Sequence, residues 1–406
     1  MKKLLIIGRH FPEPSTTAAG SHMLDMIQCF QAMDYSISLC SASAMGEHAM
    51  DLITMGVDAQ LVQLNDSSFD EYLLKLNPTL VLFDRFITEE QFGWRVSEQL
   101  PHAIKILDME DLHCLRRGRE QAVRDSEVFK DNYLFTDDAK REIASILRCD
   151  LSLVISEVEM DILESKFKIP SGLLCYFPLL YNDLKAKISP CAERHHFVSI
   201  GNFNHPPNLD AVKQLKMEIW PKIRRALPEA ELHLYGAYAP QFIQEYHKPQ
   251  EGFFIDGWVE DADAMMREAR VMLAPLRFGA GLKGKLFDAM RNALPVVTSS
   301  IGAEGLYGDM PVPGIVTDDQ DAFVDAAISL YTAKDLHASL SERCETILNK
   351  RFAKAPYFQH LHACISQLKS DIAVHRQKYF IGQVIQYHQM QSTKYMGKWI
   401  EEKNKK

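Results

Sequence analysis

Arg277, Gly279, Gly281, Lys283, Gly284 and Lys285 fall within nine consecutive positions, and together these residue types suit the binding of a multiply charged anion. The apolar run Val271 to Ala274 before them reads as a buried strand. After them, Leu282, Leu286, Ala289, Met290 and Ala293 recur at helical spacing, and Pro295 to Val297 reads as a second buried strand. A strand, a glycine turn and a helix start form an anion site, because the first backbone N–H groups of a helix are unpaired and its dipole favours negative charge there. Three cations around one helix start suit a diphosphate better than a lone carboxylate.

The glycines at 279, 281 and 284 spell GxGxxG, and Glu304 follows about 20 residues on, where an acid holds a ribose in a dinucleotide fold. Position argues against that reading. The motif comes late, after several strand–helix units, and Pro275 to Phe278 separate the strand from the first glycine. Lysines beside the glycines fit a terminal sugar diphosphate gripped from the side. Asp288 stands seven residues after Gly281, about 10 Å along a helix, which matches the separation between a diphosphate and the far hydroxyls of its ribose or sugar.

The elements that must position these residues come in two alternating series. Strands are expected at Lys3–Ile7, Ser36–Cys40, Leu80–Phe83, Ile104–Leu107 and Leu151–Ile155, then at Phe197–Ile200, Glu231–Tyr235, Phe253–Ile255, Val271–Ala274, Pro295–Thr298 and Gly314–Val316. Helix-patterned segments such as Gly20–Met33 and Glu89–Gln99 lie between them, and alternation of this kind predicts doubly wound parallel sheets. The expected division is 1–188, 189–370 and a helical tail over 371–406, with Tyr181 to Ala192 as linker. Polar or glycine residues follow the strands in both halves, among them Gly8, Asp84, Asp108, Gly201, Asp256 and Arg277. Parallel sheets bind ligands at those ends.

In the first half, residues 108–117, DMEDLHCLRR, place three acids, a histidine and two arginines just after a strand. His113 or Asp108 there would meet an acceptor hydroxyl or the transferring group, since proton transfer needs a titratable side chain at the cleft. A cap-and-salt-bridge cluster at a helix start is the competing reading, and a metal reading of Asp108, Asp111 and His113 is the weakest. Asp261 and Asp263 precede a helix and are expected to be N-terminal acids stabilised by its dipole.

Composition narrows the function classes. With 406 residues, 47% hydrophobic and 24% charged, the chain is sized for two cores. A formal charge of −9 argues against a nucleic-acid binder. The eight cysteines occur singly, without zinc spacing, as in reducing compartments. Leu4 to Ile7 is too short for a signal peptide and no apolar run reaches spanning length, so a cytoplasmic protein is expected. Trp399, Tyr395 and the lysines of the tail allow at most peripheral membrane contact.

The segment Pro275 to Val297 resembles the C-terminal signature of group 1 (family 4-like) glycosyltransferases of the GT-B fold, in the branch reading P-x-R-x-G-x-G-x-x-x-K, an acid, AM and PVV. Similar D-x-x-D-L-H-x-x-R and S-E-x-E segments occur in that branch, matching Asp108 to Arg116 and Ser156 to Glu159. The resemblance implies two Rossmann-like domains facing a cleft, with tail helices crossing back to the first. It implies hexose transfer from a nucleotide-diphosphate sugar to a glycan, lipid-linked sugar, protein or small molecule, with retention and with neither metal nor cofactor. Arg277 and Lys285 would then stabilise the leaving diphosphate, and Gly279, Gly281, Leu282 and Lys283 would line its cradle. Asp288 would hold ribose, Gly20 would close over the diphosphate, Gly201 and Asn202 would approach the phosphates, and Gly257, Trp258 and Val259 would read the base. The wider family has two glutamates eight residues apart; here Ala280 and Asp288 occupy those places. The rivals are a sugar-nucleotide epimerase or phosphorylase, a nicotinamide-dependent dehydrogenase and a non-catalytic sugar-nucleotide binder.

Overall fold

The computed structural model describes residues 2–182 and 189–404. Residues 183–188, which include the expected boundary at 188 and most of the linker's first half, lie outside the described residues. The first sheet comprises β1 (Lys2–Gly8), β2 (Tyr35–Ser41), β3 (Asp58–Leu61), β4 (Leu80–Asp84), β5 (Ile104–Asp108), β6 (Leu151–Val154) and β7 (Leu174–Tyr176). Its order is β3-β2-β1-β4-β5-β6-β7, and every pairing is parallel.

The second sheet comprises β8 (His195–Ile200), β9 (Leu232–Tyr235), β10 (Phe253–Gly257), β11 (Ala269–Ala274), β12 (Val296–Thr298) and β13 (Gly314–Val316). Its order is β10-β9-β8-β11-β12-β13, again all parallel.

Unbroken apolar runs make these strands because both faces are covered by helices. In β1, Leu4 and Ile6 enter one core cluster while Leu5 and Ile7 enter another. Likewise Met272 and Ala274 of β11 face one cluster and Val271 and Leu273 the opposite one. Side chains that alternate between two apolar layers leave little room for polar residues inside the strands, Ser38, Lys105 and Ser152 being buried exceptions. Chemistry therefore collects in the loops beyond them.

The chain returns to the first domain earlier than residue 371. Helix Lys354–Ser370 packs Leu361, Ile365 and Leu368, spaced along one helical face, into the cluster that holds Leu4, Phe30 and Phe177. Burying each such side chain contributes about 1.5–3 kcal/mol, which is why the crossing starts there. Helix Ile372–Lys378 is then fixed by Arg376, whose guanidinium donates to both oxygens of Asp150 at 2.8 Å and to the Ala103 carbonyl at 2.7 Å. Helix Phe380–Asn404 follows along the same domain, where Lys105 donates to Gln386 at 2.7 Å and Lys394 to Glu98 at 2.6 Å. No helix among the described residues is long and apolar enough to cross a membrane.

Candidate functional site in the interdomain cleft

Each sheet reverses its direction of growth at one point, between β1 and β4 in the first and between β8 and β11 in the second. The loops leaving such neighbouring strands diverge and open a crevice, the usual ligand site of open parallel sheets. In the second domain those loops are Gly201 to His205 after β8 and Pro275 to Lys283 after β11. In the first they are Arg9 to Thr17 after β1 and the junction Asp84–Arg85 after β4. The glycine turn thus sits at the switch point of its sheet.

The helix after the turn runs Gly284–Arg291, so its N-terminus lies at Gly284 and not at Gly281 as the spacing had suggested. Gly281 has φ +64°, a left-handed conformation that turns its amide towards the first domain. There the N–H donates to Glu159 Oε1 at 2.7 Å, and the same oxygen accepts from Leu112 N at 2.9 Å. Burial, reinforced by nearby Asp111, pushes the Glu159 carboxyl up to about 8. Gly284 is equally constrained, since a Cβ there would lie 2.2 Å from the Cβ of Ala18.

Two further groups of the turn join this interdomain contact. Arg119 donates to the Gly279 carbonyl at 2.8 Å and clasps Glu304 with bonds of 2.9 and 2.6 Å. Glu304 is therefore an ion-pair partner across the cleft, and the ribose contact of a dinucleotide fold is not its geometry. Lys283 is buried; its Nζ donates to the Gly281 carbonyl at 2.9 Å and lies 3.8 Å from Glu304. Burial pushes its ammonium down to about 8 against the pull of Glu304. Ala280 and Leu282 pack into apolar clusters beside these contacts.

Lys285 faces a different direction. Its Nζ donates to Asn208 Oδ1 at 2.7 Å, and burial alone pushes it down to about 8. A Cβ on Gly201 would come within 2.8 Å of that nitrogen, so the glycine gives the ammonium its room. Asn202 shapes the same loop, accepting from Asn204 N and from Asn208 Nδ2, each at 2.8 Å. Asn208 belongs to helix Pro206–Gln214. Helix Gly284–Arg291 has no side-chain N-cap bond, so its first backbone N–H groups stay open beside this ammonium, whereas Pro206 and Pro207 leave the start of the other helix without donors there.

Asp288 lies three residues after Lys285, on the same helical face and about 4.5 Å further along the axis. Burial raises its carboxyl to about 6, with Arg291 pulling the other way. Arg277 is exposed and grips Asp210 of the neighbouring helix through Nε at 2.8 Å and through Nη2. It flanks the cradle and does not point at the Gly284 helix start.

At the rim, Gly257 has φ +77° at the end of β10 with open space around it, and Val259 is half-buried. Exposed Trp258 stacks on His48 of the first domain with ring centroids 4.5 Å apart, and the Tyr238 hydroxyl donates to Glu13 Oε2 at 3.0 Å. Gly20 is buried; its N–H caps onto Thr17 Oγ1 at 3.0 Å, and a Cβ there would strike the Glu13 backbone at 2.5 Å. Its structural task is to let the loop after β1 fold tightly over the helix start.

The first-domain wall of the cleft contains a group that the sequence reading only half identified. His22, Asp108 and Glu110 are all buried, with His22 Nδ1 3.7 Å from Glu110 Oε1. Both ring nitrogens of His22, Asp108 Oδ2 and Glu110 Oε1 have no hydrogen-bond partner within the protein, while Asp84 Oδ1 lies 3.1 Å from the Arg85 guanidinium. Buried polar atoms are rarely left so, and four together mark a place suited to a polar ligand. Burial lowers His22, but Glu110 and Asp108 overcome it and raise the imidazole to about 9. Asp108 is pushed well up by burial and by Glu110. For Glu110, burial is outweighed by His22 and Arg85, and the carboxyl stays below its usual range. Arg85 and Glu110, at neighbouring strand ends, both hold left-handed backbone at φ +69° and +59°, a cost that collects at functional sites.

His113 is turned away from this group. It opens helix His113–Arg124, and its Nδ1 lies 3.0 Å from the Asp111 carbonyl and 3.2 Å from Glu142, with Phe86 edge-on to the ring. Glu142 also accepts from the amides of His113 and Cys114, each at 2.7 Å, so this histidine belongs to a carboxylate-capped helix start. Asp111 connects the two walls, since a Cβ on Gly281 would sit 3.1 Å from its Cβ. His22 escaped notice because it lies on the inward face of an apolar helix; its one signal was a position two residues after Gly20.

Comparisons with known proteins bear on the fold that holds these residues. Residues 194–333 match the family described as Glycosyl transferases group 1. An uncharacterised 44.6 kDa protein in the cps region of Klebsiella pneumoniae is 25% identical over 217 residues, 50% of this chain and 54% of its own, so the chain spans about half the length of that relative. Among solved structures, Anabaena HepE in complex with UDP-glucose superposes with TM-score 0.70 at 12% identity, covering 91% of this chain and 100% of that one. A Staphylococcus aureus TarM variant in complex with fondaparinux, α-GlcNAc-glycerol and UDP gives 0.69 at 11%, covering 90% and 99%. Sucrose-phosphate synthase from Thermosynechococcus elongatus gives 0.68 at 14%, covering 91% and 100%. These likenesses establish the GT-B fold.

Proposed function

Because the chain carries a group 1 glycosyltransferase domain over residues 194–333 within a GT-B frame, we propose that it transfers a hexose from a nucleotide-diphosphate sugar to a hydroxyl of an acceptor held by the first domain. One observation carries the reading: Lys285 sits in the first turn of the uncapped helix Gly284–Arg291, with its Nζ on Asn208 and Asp288 one turn along the same face. In this reading the cation and the N-terminus of helix Gly284–Arg291 take the diphosphate as its charge develops on departure, and Asp288 takes the ribose. Gly201 and Asn202 shape the phosphate side, while Gly257, Trp258 and Val259 form the rim nearest the base. Arg277 and Lys283 hold the cradle through Asp210 and Glu304.

On the acceptor side, Glu110 is the ionised member of the buried group, and it is the carboxylate suited to receive the acceptor's proton. Asp108 remains protonated well above the usual carboxylate range and is suited to donate to the sugar or the acceptor. The structures in complex with UDP or UDP-glucose support a nucleotide-sugar donor. The chemistry assigned here requires neither a metal nor a cofactor.

Lys285→Ala tests the reading. Calorimetric titration with UDP, GDP, ADP and dTDP should show one nucleotide bound by the native protein and lost in the variant, with turnover of the matching sugar nucleotide lost as well. Native binding should also weaken as pH rises through about 8, where Lys285 gives up its proton. Unchanged affinity and rate in the variant would sink the assignment.

A second reading has one observation behind it. Ala280, at the place of the family's first glutamate, packs against an apolar cluster of the first domain. A sugar-nucleotide binder without transfer would bind nucleotide yet leave the donor intact, and product analysis separates the two.

A further inference from the structure

Away from the cleft, where β7 meets the crossing helix Lys354–Ser370, Cys175 of the strand lies beside His360 and Cys364 of the helix. One nitrogen and two sulfurs from these residues all fall within 4.8 Å of one another. We propose that Cys175, His360 and Cys364 form a zinc site that ties the crossing helix to the edge of the first sheet. This inference is independent of the reading of the cleft.

The ligand chemistry is specific. Two thiols and an imidazole make a soft donor set, which selects zinc over the oxygen-seeking magnesium or calcium. His360 and Cys364 stand four residues apart on one helix, so they share a face. Their ligand atoms are 3.8 Å apart; tetrahedral zinc, with bonds of about 2.3 Å to sulfur and 2.0–2.1 Å to nitrogen, sets that edge at about 3.6 Å. Cys175 is buried and supplies the third ligand from a different element.

The surroundings fit as well. Phe177, Leu361 and Ile365 form an apolar layer behind the sulfurs, which keeps water from the metal–thiolate bonds. His360 is exposed and gives the ion an entry path. Three protein ligands leave one tetrahedral position for water. None of these residues takes part in the cleft, so the metal would act on how the helix is held.

Cobalt titration tests this directly. Full-length protein, stripped of metal by a chelator and kept reduced, is titrated with Co²⁺ while the near-ultraviolet thiolate-to-cobalt band is followed. The expected result is one equivalent bound with that band, bleached by stoichiometric Zn²⁺. Cys364→Ser should abolish the band. His360→Ala should weaken binding by at least the ~10–100-fold that loss of an outer-shell partner costs.

Both substituted residues are less buried than Cys175, and a native circular dichroism spectrum is required of each variant before its titration is read. Cobalt uptake without a thiolate band would place the ion on a thiol-free group, His196, Glu231 and His233 or His22, Asp108 and Glu110, and would overturn the proposal. Absence of uptake, or a band unchanged in Cys364→Ser, would overturn it equally.

Discussion

Glu159 is the most exacting place to test the architecture, because one buried oxygen serves both domains. Its Oε1 accepts from Leu112 N at 2.9 Å and from Gly281 N at 2.7 Å. Replacement by Ala strands two buried N–H groups. At about 1–3 kcal/mol for each unsatisfied donor the loss is about 2–6 kcal/mol. With a domain of 150–250 residues shifting about 2–4 °C per kcal/mol, the melting temperature should fall by roughly 10 °C. Glu159→Gln keeps a carbonyl oxygen in the same place and should lose far less.

The pH dependence sharpens the test. The carboxyl sits at 4.5 in its ordinary state and at about 8 here. Between those values the folded protein holds a proton that the unfolded chain has released. Stability from this group is therefore complete below about 4.5 and lost as pH rises through about 8, with a slope of up to about 1.4 kcal/mol per pH unit. The glutamine variant lacks this proton, so it should gain on the native protein as pH rises. The assay is thermal unfolding of the native protein and both variants from pH 5 to 8.5. An alanine variant that melts with the native protein, or a native–glutamine difference flat in pH, would refute the reasoning.

Gly284→Ala should push Ala18 away, since the added carbon would lie 2.2 Å from its Cβ. Overpacking of this kind costs about 1–3 kcal/mol, and Ala18→Gly should restore most of it in a double-mutant cycle read by melting temperature. Glu110→Gln should lower kcat by about 10²–10⁴-fold, the range of general base catalysis, while nucleotide affinity measured by calorimetry stays native; equal losses in both would remove Glu110 from the acceptor side.

Most of the frame was legible because a strand buried on both faces has little choice of residues. All six strands of the second sheet and five of the first were expected, and their ends moved by at most two residues. The two omissions have physical causes. β3, Asp58–Leu61, is an edge strand with mostly exposed side chains, and β7, Leu174–Tyr176, has only three residues. β3 carries no apolar run, and that of β7, Leu173 to Phe177, is cut short by Pro178. The glycine turn was legible from its residue types, and it lies at the switch point of its sheet.

The network around the turn was not legible. Arg119 and Glu304 stand 185 residues apart, and Glu159 and Gly281 stand 122 apart. Nothing local pairs residues at such distances. The surroundings of His113 were hidden for a related reason: its partner Glu142 lies on the next helix, and DMEDLH alone does not show that the imidazole lies 3.2 Å from it.

The chain passes between the domains twice, and the two passages touch. Tyr181 N donates to the Phe352 carbonyl at 2.7 Å, and Tyr181 pairs in parallel with Ala353 just before the crossing helix begins. Two strands of covalent chain running side by side act as the pin of a door. Any swing of one domain relative to the other would pivot about this line once the contacts across the cleft part. A cleft hung in this way has essentially one coordinate of opening, so contacts far from the pin, at Trp258 and His48 or at Tyr238 and Glu13, act at the longest lever arm. Small changes there should alter the angle of the cleft more than equal changes beside Tyr181.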